Sequence, residues 1–384
     1  MKRLRFQTAA CLIGMGLSLT GTALADKIAP PEARVDGPAE TTAAPKVDLN
    51  TARTKGMAWL VKHQAADGSW GKRHTIAITS FACLSFLSAS DEPFDAETGK
   101  ALTRGLQFLL TKQKAGMFEK QGHTWIHGQG FGTLALSEAY GRTLFCKIKP
   151  DMDVAAMRKA VAEAVQKIAE NQSTSGCWWY TPSSPSQHEG STTVCAVQAL
   201  VSADNFGIDI DKKVLRKGFR YLKKCQNPDG GFDYQLGPGT TSMKGGTAGG
   251  VATLGLMKKF DYTVMMNGHK YLQNIKPAGI SADRFCYYGH FYAGLGMRLL
   301  GQEMKQMRKQ TGGFAAEAAR QLAGWQQTDG HWPLRGWMKS SGGDGPDYAT
   351  AFATLTLSIP EGRLSIFNRD APELPEAAQK PEES

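Results

Sequence analysis

One short phrase recurs along the chain, and it constrains the possible folds more than any other feature. "QAADGSW" spans residues 64–70, "QNPDGGF" spans residues 226–232 and "QTDGHW" spans residues 327–332. A catalytic loop is expected once in a chain, whereas a recurring phrase indicates an architectural repeat in which each copy marks one supersecondary unit. The sequence therefore predicts a repeat protein.

The residues before each phrase extend the pattern to six copies of about fifty residues. Apolar residues at helical spacing precede a Gln, a Gly follows, and an aromatic residue stands two positions after the Gly. The copies begin at Gly56, Gly105, Ala164, Gly218, Gly268 and Ala319. In the fifth copy Lys276 replaces the Gln, and no aromatic follows Gly279. The pattern predicts a helix that ends at the Gly, because the left-handed position beyond a helix carries no steric cost in Gly.

A segment rich in small residues follows each loop, for example "GTAGGVATLGLM" at 246–257 and "YATAFATLTLSI" at 348–359. Small residues let helices approach closely. Six helical hairpins therefore predict an all-α (α/α)6 toroid, with six small-residue helices inside and six helices outside. We expect Trp70, Trp178 and Trp332 to be buried as loop anchors, and each Gln amide to satisfy backbone groups at the helix end.

The two ends of the chain differ from the repeats. Residues 1–25 have the basic start, short apolar stretch and small-x-small ending of a signal peptide, so the mature chain should begin at Asp26. Residues 26–48 are predicted to be a disordered linker, 49–369 the toroid and 370–384 a disordered acidic tail. No apolar run is long enough for a transmembrane helix, so we expect a periplasmic or secreted protein without a membrane anchor.

Charge and cysteine content limit the partners less sharply. The net charge is +10, and residues 49–369 carry +13 because the linker and the tail are acidic. A basic body can attract anionic glycans or lipid headgroups, or can simply keep the protein soluble. An exported protein is not expected to meet nucleic acid. The cysteines of the mature chain, which could be buried thiols or form one or two disulfides, are Cys83, Cys146, Cys177, Cys195, Cys225 and Cys286.

"QAADGSW" and "QTDGHW" resemble the QW motifs of the prenyltransferase/squalene-oxidase repeat family, which includes terpenoid cyclases and protein prenyltransferase β subunits. The resemblance covers residues 49 to about 360 and implies an α/α toroid. "YYGHFYAGLGM" at 287–297 and "RLSIFNRD" at 363–370 resemble phrases of exported, uncharacterised bacterial members of the planctomycete type. The resemblance therefore implies a fold without an established reaction.

The chemistry of the best-known members of that family is not repeated here. The Asp-x-Asp-Asp acid of class II terpene cyclases is absent, and the nearest segment offers only Asp344 and Asp347. The Asp-x-Cys zinc pair of protein prenyltransferases is absent too, although Asp283, Cys286 and His290 lie near one another at a different spacing. We therefore expect no metal and no cofactor.

Histidines offer the best functional pattern. His74, His127, His188 and His290 stand near the start of the predicted inner helices of four repeats, and a closed toroid brings equivalent positions to one rim. They either make capping hydrogen bonds or share a site. The predicted catalytic residues are His127, His188, His290, Tyr288 and Asp347. The predicted ligand-binding residues are His74, Trp125, Trp179, Tyr287 and Arg284.

Two functions remain open from the sequence. The protein either binds a small or elongated ligand, an isoprenoid or a glycan, in a central cavity, or it is an enzyme that acts at the cavity rim. The enzyme could resemble a prenyl or terpenoid transferase or cyclase, or a toroidal polysaccharide lyase in which Arg73, Arg284 or Arg335 neutralises substrate carboxylates. An aliphatic and aromatic lining would favour an isoprenoid, and a lining rich in Arg and Lys would favour a glycan. The sequence does not define the oligomeric state.

Overall fold

The computed structural model describes residues 48–182, 186–236, 241–335 and 345–376. These residues form twelve α-helices and one pair of two-residue strands, β1 (Gln113–Lys114) and β2 (Met117–Phe118). The helices are α1 (Leu49–Lys62), α2 (Thr75–Ala89), α3 (Ala96–Thr111), α4 (Ile126–Phe145), α5 (Val154–Glu170), α6 (Gly190–Asn205), α7 (Lys212–Lys224), α8 (Lys244–Gly255), α9 (Tyr262–Ser281), α10 (Cys286–Glu303), α11 (Arg308–Ala323) and α12 (Pro346–Ser358). The predicted signal peptide, the linker up to residue 47 and tail residues 377–384 lie outside the described residues.

The helices form two concentric rings. Each even-numbered helix packs against the next even-numbered one, and α12 packs against α2, so the inner ring is closed. The odd-numbered helices lie outside, and α1 packs against both α11 and α12. The predicted all-α (α/α)6 toroid is confirmed. Among the described helices, none is both long and apolar enough to cross a membrane.

The repeated Gln ties each loop to the next repeat. The Gln64 amide donates to the carbonyl oxygens of Gly68 and Ala101, each at 2.8 Å, and Ala101 lies on the next outer helix. Gln172 and Gln226 make the same pair of bonds in their own repeats. The predicted role of the amide is confirmed, and it extends from the helix end to the neighbouring repeat.

The sixth copy closes the ring, and its register differs by one residue from the predicted one. Gln326, rather than Gln327, donates to the carbonyls of Gly330 at 2.8 Å and Ala52 at 2.7 Å. Two adjacent glutamines make the alignment ambiguous in sequence, and only the contact with α1 identifies the equivalent residue. This bond joins the last repeat to the first.

The loop aromatics are buried as predicted. Trp70, Trp178 and Trp332 are at most 1% exposed, and each indole N–H donates to a carbonyl of its own outer helix. A Cβ added at Gly56 would lie 2.7 Å from the Trp332 ring, so this ring packs on the α1 backbone. The conserved spacing of Gly and aromatic therefore reflects close packing between consecutive repeats.

The fifth repeat departs from the pattern where its sequence does. Helix α9 is interrupted at Lys276, whose φ is 56°, and Pro277 follows. The chain then makes a short helical turn in place of the loop. Ile280 on this turn is fully buried and contacts α10 at Gly289. An aliphatic side chain thus replaces the missing aromatic anchor.

A C-terminal segment, residues 362–369, crosses the end of the toroid at which the inner helices finish. Leu364, Ile366 and Phe367 on this segment are fully buried. The buried carboxylate of Glu138 on α4 accepts hydrogen bonds from the Ser365 backbone N–H at 2.8 Å and from the Ser365 hydroxyl at 2.6 Å. This end, called the far end below, is therefore covered, whereas the inner helices begin at the opposite end, called the rim.

All six cysteines of the described residues are buried free thiols. The structure thus contains none of the disulfides that the sequence had left possible within this part of the chain.

Candidate functional site

Aromatic side chains occupy the middle of the inner ring. The ring of Phe352 lies 4.1 Å from Phe81 and 4.9 Å from Tyr348, measured between centroids. Phe131 packs on Phe81 at 4.5 Å, and Phe291 packs on Phe352 at 5.8 Å. We had expected an open central cavity here, and the structure instead shows packed rings from four inner helices.

A small cavity lies at the rim, where α6, α8 and α10 begin. Its volume is about 30 Å3, the space that one water molecule occupies. The walls are mostly apolar and include Val194, Leu222, Phe232, Met243 and Phe285. Its polar lining side chains include Glu189, Asp233, Asp283 and Tyr288, and no Lys or Arg is among the described residues that line it. We call this space the rim cavity.

Glu189 caps the start of α6 from within the rim cavity. Its carboxylate accepts hydrogen bonds from the backbone N–H groups of Ser191 and Thr192, each at 2.7 Å. These bonds favour the charged form, but complete burial disfavours it more strongly and raises the pKa of Glu189 to about 7. The carboxyl can therefore both give and take a proton near neutral pH.

Asp233 and Tyr288 bring two further oxygen atoms to the rim cavity. Asp233 accepts from the Tyr234 N–H at 2.6 Å through one oxygen, while its Oδ2 has no hydrogen-bond partner among the described residues. Burial raises the pKa of Asp233. The Tyr288 hydroxyl is also buried without a partner in the described residues. The Tyr288 hydroxyl fits against α8 because residue 249 is Gly. A Cβ added at Gly249 would lie only 2.6 Å from the hydroxyl oxygen.

Buried polar atoms without partners are rare in folded proteins. Two of them at one small cavity indicate that a water molecule or a ligand group completes their hydrogen bonds. This observation distinguishes the rim cavity from an ordinary packing defect, which would be lined by apolar atoms alone.

Histidines form a second cluster at the rim, between α2 and α4. His127 is 1% exposed, and its Nδ1 lies 2.8 Å from the Thr124 hydroxyl. Burial, together with the nearby His123 and His74, lowers the pKa of His127 to about 3. Trp125 is buried beside it and donates its backbone N–H to the Tyr180 carbonyl at 2.7 Å. The structure thus brings together His74, Trp125 and His127 of the predicted site.

The other two predicted histidines have separate surroundings. His188 is half-buried, with Nδ1 3.3 Å from the Tyr221 hydroxyl on outer helix α7. His290 is fully buried, and its Nε2 lies 3.0 Å from the Ser281 hydroxyl at the end of outer helix α9. Burial lowers the pKa of His290 to about 3.

His127, His188 and His290 each contact different neighbours, and the expectation that they face one central cavity stays a prediction. His188 precedes α6, His127 is the second residue of α4 and His290 is the fifth residue of α10. Because successive helical residues point in directions about 100° apart, similar but unequal positions direct their side chains to different neighbours. Any catalytic role of these histidines stays a prediction.

The remaining predicted residues have structural partners. Tyr287 donates its hydroxyl to the Pro333 carbonyl at 2.6 Å, and Asp347 accepts the Gly71 N–H at 3.0 Å across the ring seam. Trp179 is half-buried against Tyr180, with centroids 4.7 Å apart, and Arg284 is exposed. Tyr288 is the one predicted residue that lines the rim cavity.

Metal binding has no geometric support in the described part of the chain. No group of three or more His, Cys, Asp or Glu side chains there is arranged to hold an ion. Cys286, one of the three residues considered from sequence, is buried, and burial raises its thiol pKa to about 11.

Residues 43–216 and 204–276 match the prenyltransferase alpha-alpha toroid domain. The chain belongs to this family. Comparison of the sequence with curated proteins found no match.

Solved structures extend the likeness of the fold. The alpha-1,6-mannanase GH76A from Salegentibacter sp. HEL1_6 superposes with a TM-score of 0.59 at 10% identity, over 81% of this chain and 98% of the mannanase. The type II terpene cyclase MstE from Scytonema, with geranylgeranyl dihydroxybenzoate bound, gives a TM-score of 0.54 at 15% identity, over 82% of this chain and 98% of the cyclase. At these identities the likeness shows the shared fold alone.

Sequence reasoning missed Glu189 and Asp233. Glu189 lies in "HEGST" at 188–192, and Asp233 directly follows the loop aromatic Phe232. The available signal was a carboxylate between the loop Gly and the inner helix in two consecutive repeats, although Asp233 lies eleven residues before α8. A closed toroid brings such positions to one end of the molecule.

Proposed function

We propose that the rim cavity, which has room only for a group of about the size of a water molecule, binds the terminal hydroxyl of an elongated, apolar, isoprenoid-like molecule whose chain extends out of the cavity. The observation that carries this proposal is the pair of buried oxygens, Asp233 Oδ2 and Tyr288 Oη, which have no hydrogen-bond partner among the described residues and belong to side chains that line a mostly apolar cavity. A hydroxyl group can donate to the first and accept from the second. Each buried polar atom left without a hydrogen bond costs about 1–3 kcal/mol, and the ligand would remove that cost.

The charge of the rim cavity selects against an anionic ligand. Glu189, Asp233 and Asp283 line it, and the described lining contains no basic residue to balance a phosphate or carboxylate. Arg335, one of the residues considered for a polysaccharide lyase, lies with its guanidinium 4.1 Å from the Trp325 ring centroid instead. The mostly apolar lining supports an isoprenoid over an acidic glycan. The MstE complex with geranylgeranyl dihydroxybenzoate shows that a related toroid holds an isoprenoid chain.

A matched pair of tyrosines tests the proposal. The Tyr292 hydroxyl, one helical turn beyond Tyr288, donates to Gln198 at 3.1 Å and does not line the cavity. We expect geranylgeraniol, added in isothermal titration calorimetry, to bind the wild type and to bind Tyr288→Phe about tenfold more weakly, the effect of one lost hydrogen bond. Tyr292→Phe should retain the affinity. Equal binding by both variants, or tighter binding of geranylgeranyl diphosphate, would contradict the proposal.

A second candidate function is acid–base catalysis on a glycosidic bond. Two carboxyl groups with raised pKa values, Glu189 and Asp233, line one cavity, and such pairs supply the acid and base of glycosidases. A carboxyl with a pKa of about 7 is well matched to a glycosidic oxygen, whereas protonation of an alkene needs a stronger acid. The mannanase neighbour has a described complex with alpha-1,6-mannotriose.

Hydrolysis of alpha-1,6-mannotriose by the purified protein tests this second candidate. The rate should rise and then fall around neutral pH, and Glu189→Gln should lower it at least about a hundredfold, as loss of a general acid does. Turnover that is unchanged in Glu189→Gln would exclude Glu189 as the acid. Absence of turnover together with geranylgeraniol binding would leave the binding function alone.

A further inference from the structure

An apolar groove lies on the side of the toroid opposite the rim, between α1, α10, α11 and α12. Its volume is about 470 Å3, within the range of small-molecule sites. One face of α11 forms a continuous wall, made of Arg308, Thr311, Gly312, Ala315, Ala316 and Ala319. From Arg308 to Ala319 the helical rise gives this wall a length of about 17 Å.

The groove has open space because the face of α11 that lines it carries mostly small side chains. Gly312 lines the groove, and a Cβ added there would meet no atom within 4 Å, so the space beside this residue is open. Met297 and Leu357 supply apolar surface on the opposite wall. Removing apolar surface from water is favourable, so an apolar chain of matching length would be stabilised here.

One end of the groove meets a strongly basic cleft. Arg308 and Gln302 line both the groove and a polar cleft of about 990 Å3 at the far end. In that cleft Arg363 pairs with Asp91, and Arg369 pairs with Glu303. The basic side chains that line the cleft without an acidic partner among the described residues include Lys258, Lys305 and Arg308.

We propose that the groove and the adjoining basic cleft bind a single anionic lipid molecule. Its apolar chain lies along α11, and its phosphate or carboxylate group lies against Arg308 and Lys305. The order of surfaces matches an anionic amphiphile, because the apolar wall ends where the unbalanced positive charge begins. This site is separate from the rim cavity and does not depend on the function proposed there.

Two adjacent glycines allow a matched test of the groove. Gly312 and Gly313 both have open space around an added Cβ, but only Gly312 lines the groove. The probe is dioctanoyl phosphatidylglycerol below its micellar concentration, titrated into the full chain by calorimetry. We expect Gly312→Leu to weaken binding at least about tenfold and Gly313→Leu to change it less than about twofold.

A second pair tests the headgroup. Arg308→Glu should weaken phosphatidylglycerol binding at least about tenfold. Lys309→Glu makes the same charge change at an exposed neighbour outside both lining sets and should have less than about a twofold effect. Dioctanoyl phosphatidylcholine, which is zwitterionic, should bind more weakly than phosphatidylglycerol. Tyr288→Phe should leave this binding unchanged, which separates the site from the rim cavity.

Two results would overturn the proposal. Wild-type affinity in Gly312→Leu, with its melting temperature retained, would show that the groove does not hold the chain. Binding only to phosphatidylglycerol vesicles, weakened equally by Arg308→Glu and Lys309→Glu, would show attraction to a membrane surface in place of a lipid site. If Arg308→Glu fails to fold, Arg308→Gln serves in the same comparison.

Discussion

At the scale of single residues, burial decides the protonation state of the rim. It raises the pKa of Glu189 to about 7 and lowers the pKa values of His127 and His290 to about 3. The cause is the same in each case, since removal from water disfavours the charged form. The sequence could suggest Glu189 as a helix cap. The raised pKa of Glu189, however, depends on burial by residues of α7, α8 and α10, and a local sequence pattern does not predict these contacts.

The pKa of Glu189 predicts a measurable pH dependence of stability. Between about pH 4.5 and 7 the folded protein holds a proton that the unfolded chain has lost, so the free energy of unfolding falls as pH rises. The shift corresponds to roughly 3 kcal/mol across that window. Glu189→Gln should remove this contribution. Urea unfolding at several pH values gives the free energy of unfolding of the wild type and of Glu189→Gln. Subtracting one from the other isolates the Glu189 contribution, because the opposite pH dependence of the buried histidines is present in both proteins.

The control for that experiment is Glu170→Gln, which changes an exposed carboxyl paired with Lys167. It should leave the slope between pH 4.5 and 7 essentially as in the wild type. Parallel pH profiles of wild type and Glu189→Gln would show that Glu189 ionises in the folded protein as it does in the unfolded chain.

The buried His290 should give the free energy of unfolding the opposite pH dependence. Its imidazole is neutral when folded, so the unfolded chain alone gains a proton as pH falls from 6.5 towards 3, and stability is lost over that range. His290→Gln should reduce this acid loss, while geranylgeraniol binding at neutral pH should be retained because His290 contacts Ser281 and Trp325 rather than the rim cavity. Equal acid sensitivity of variant and wild type in urea titrations would contradict the burial argument.

At the scale of elements, the loop glycines explain why the phrase recurs. Gly68, Gly116, Gly176, Gly230 and Gly330 all have positive φ values, and an added Cβ would lie 2.3–2.7 Å from a carbonyl oxygen of the next outer helix. The sequence predicted the buried aromatics, which follow from local chemistry. Its placement of the helix ends at the Gly was wrong, because α1 ends at Lys62, six residues before Gly68, and this Gly forms the turn of the loop instead. The sequence pattern assigned the repeated Gln of the sixth copy to Gln327, one residue after Gln326, which makes the bond. The choice between the two depends on a contact with Ala52, more than 270 residues earlier.

Gly330→Ala tests the seam between the last and first repeats. Gly330 has a φ of 101°, and its added Cβ would lie 2.6 Å from the Lys55 carbonyl oxygen, so both the backbone and the packing are strained. We expect a loss of at least about 2 kcal/mol in the free energy of unfolding by urea. Gly324→Ala, where φ is −65° and the contacts are no closer than 3.5 Å, should be neutral or slightly stabilising. Similar losses in both variants would argue against a specific role for the loop glycine.

Trp332→Ala tests the aromatic anchor of the same seam. The side chain is fully buried, donates to the Leu322 carbonyl at 2.6 Å and packs on Gly56 of α1. Its truncation should cost about 3–5 kcal/mol, as large aromatic deletions do. Trp179→Ala, at a half-buried tryptophan of another loop, should cost clearly less. A loss below about 1 kcal/mol for Trp332→Ala would contradict the anchoring role.

At the scale of the whole molecule, the two ends of the toroid have different chemistry. The rim holds Glu189 and Asp233, whose pKa values are raised by burial, in a mostly apolar cavity. The far end carries the C-terminal segment and an excess of basic side chains. The sequence predicted a site at the end where the inner helices begin. It could not identify Glu189 with Asp233, because these residues meet only through the packing of repeat three on repeat four.

The far end depends on one buried carboxylate, and Glu138→Gln tests it. Glu138 accepts from the Ser365 N–H and hydroxyl and from the Ser202 hydroxyl at 2.9 Å, so it joins α4, α6 and the C-terminal segment. Glutamine would direct an N–H group at one of these donors and leave buried groups unpaired, which should cost about 1–3 kcal/mol. Trypsin should then cut faster at Arg363 or Arg369, which the segment holds in ion pairs with Asp91 and Glu303.

The control for this last experiment is again Glu170→Gln, whose exposed ion pair should contribute less than about 1 kcal/mol. Both variants are digested under the same conditions, and the fragments are identified by mass spectrometry. If Glu138→Gln is cut at Arg363 and Arg369 no faster than Glu170→Gln, the segment is held by its buried Leu364, Ile366 and Phe367 rather than by the carboxylate. Faster cutting only in Glu138→Gln would show that a single buried carboxyl group couples repeats two and three to the end of the chain.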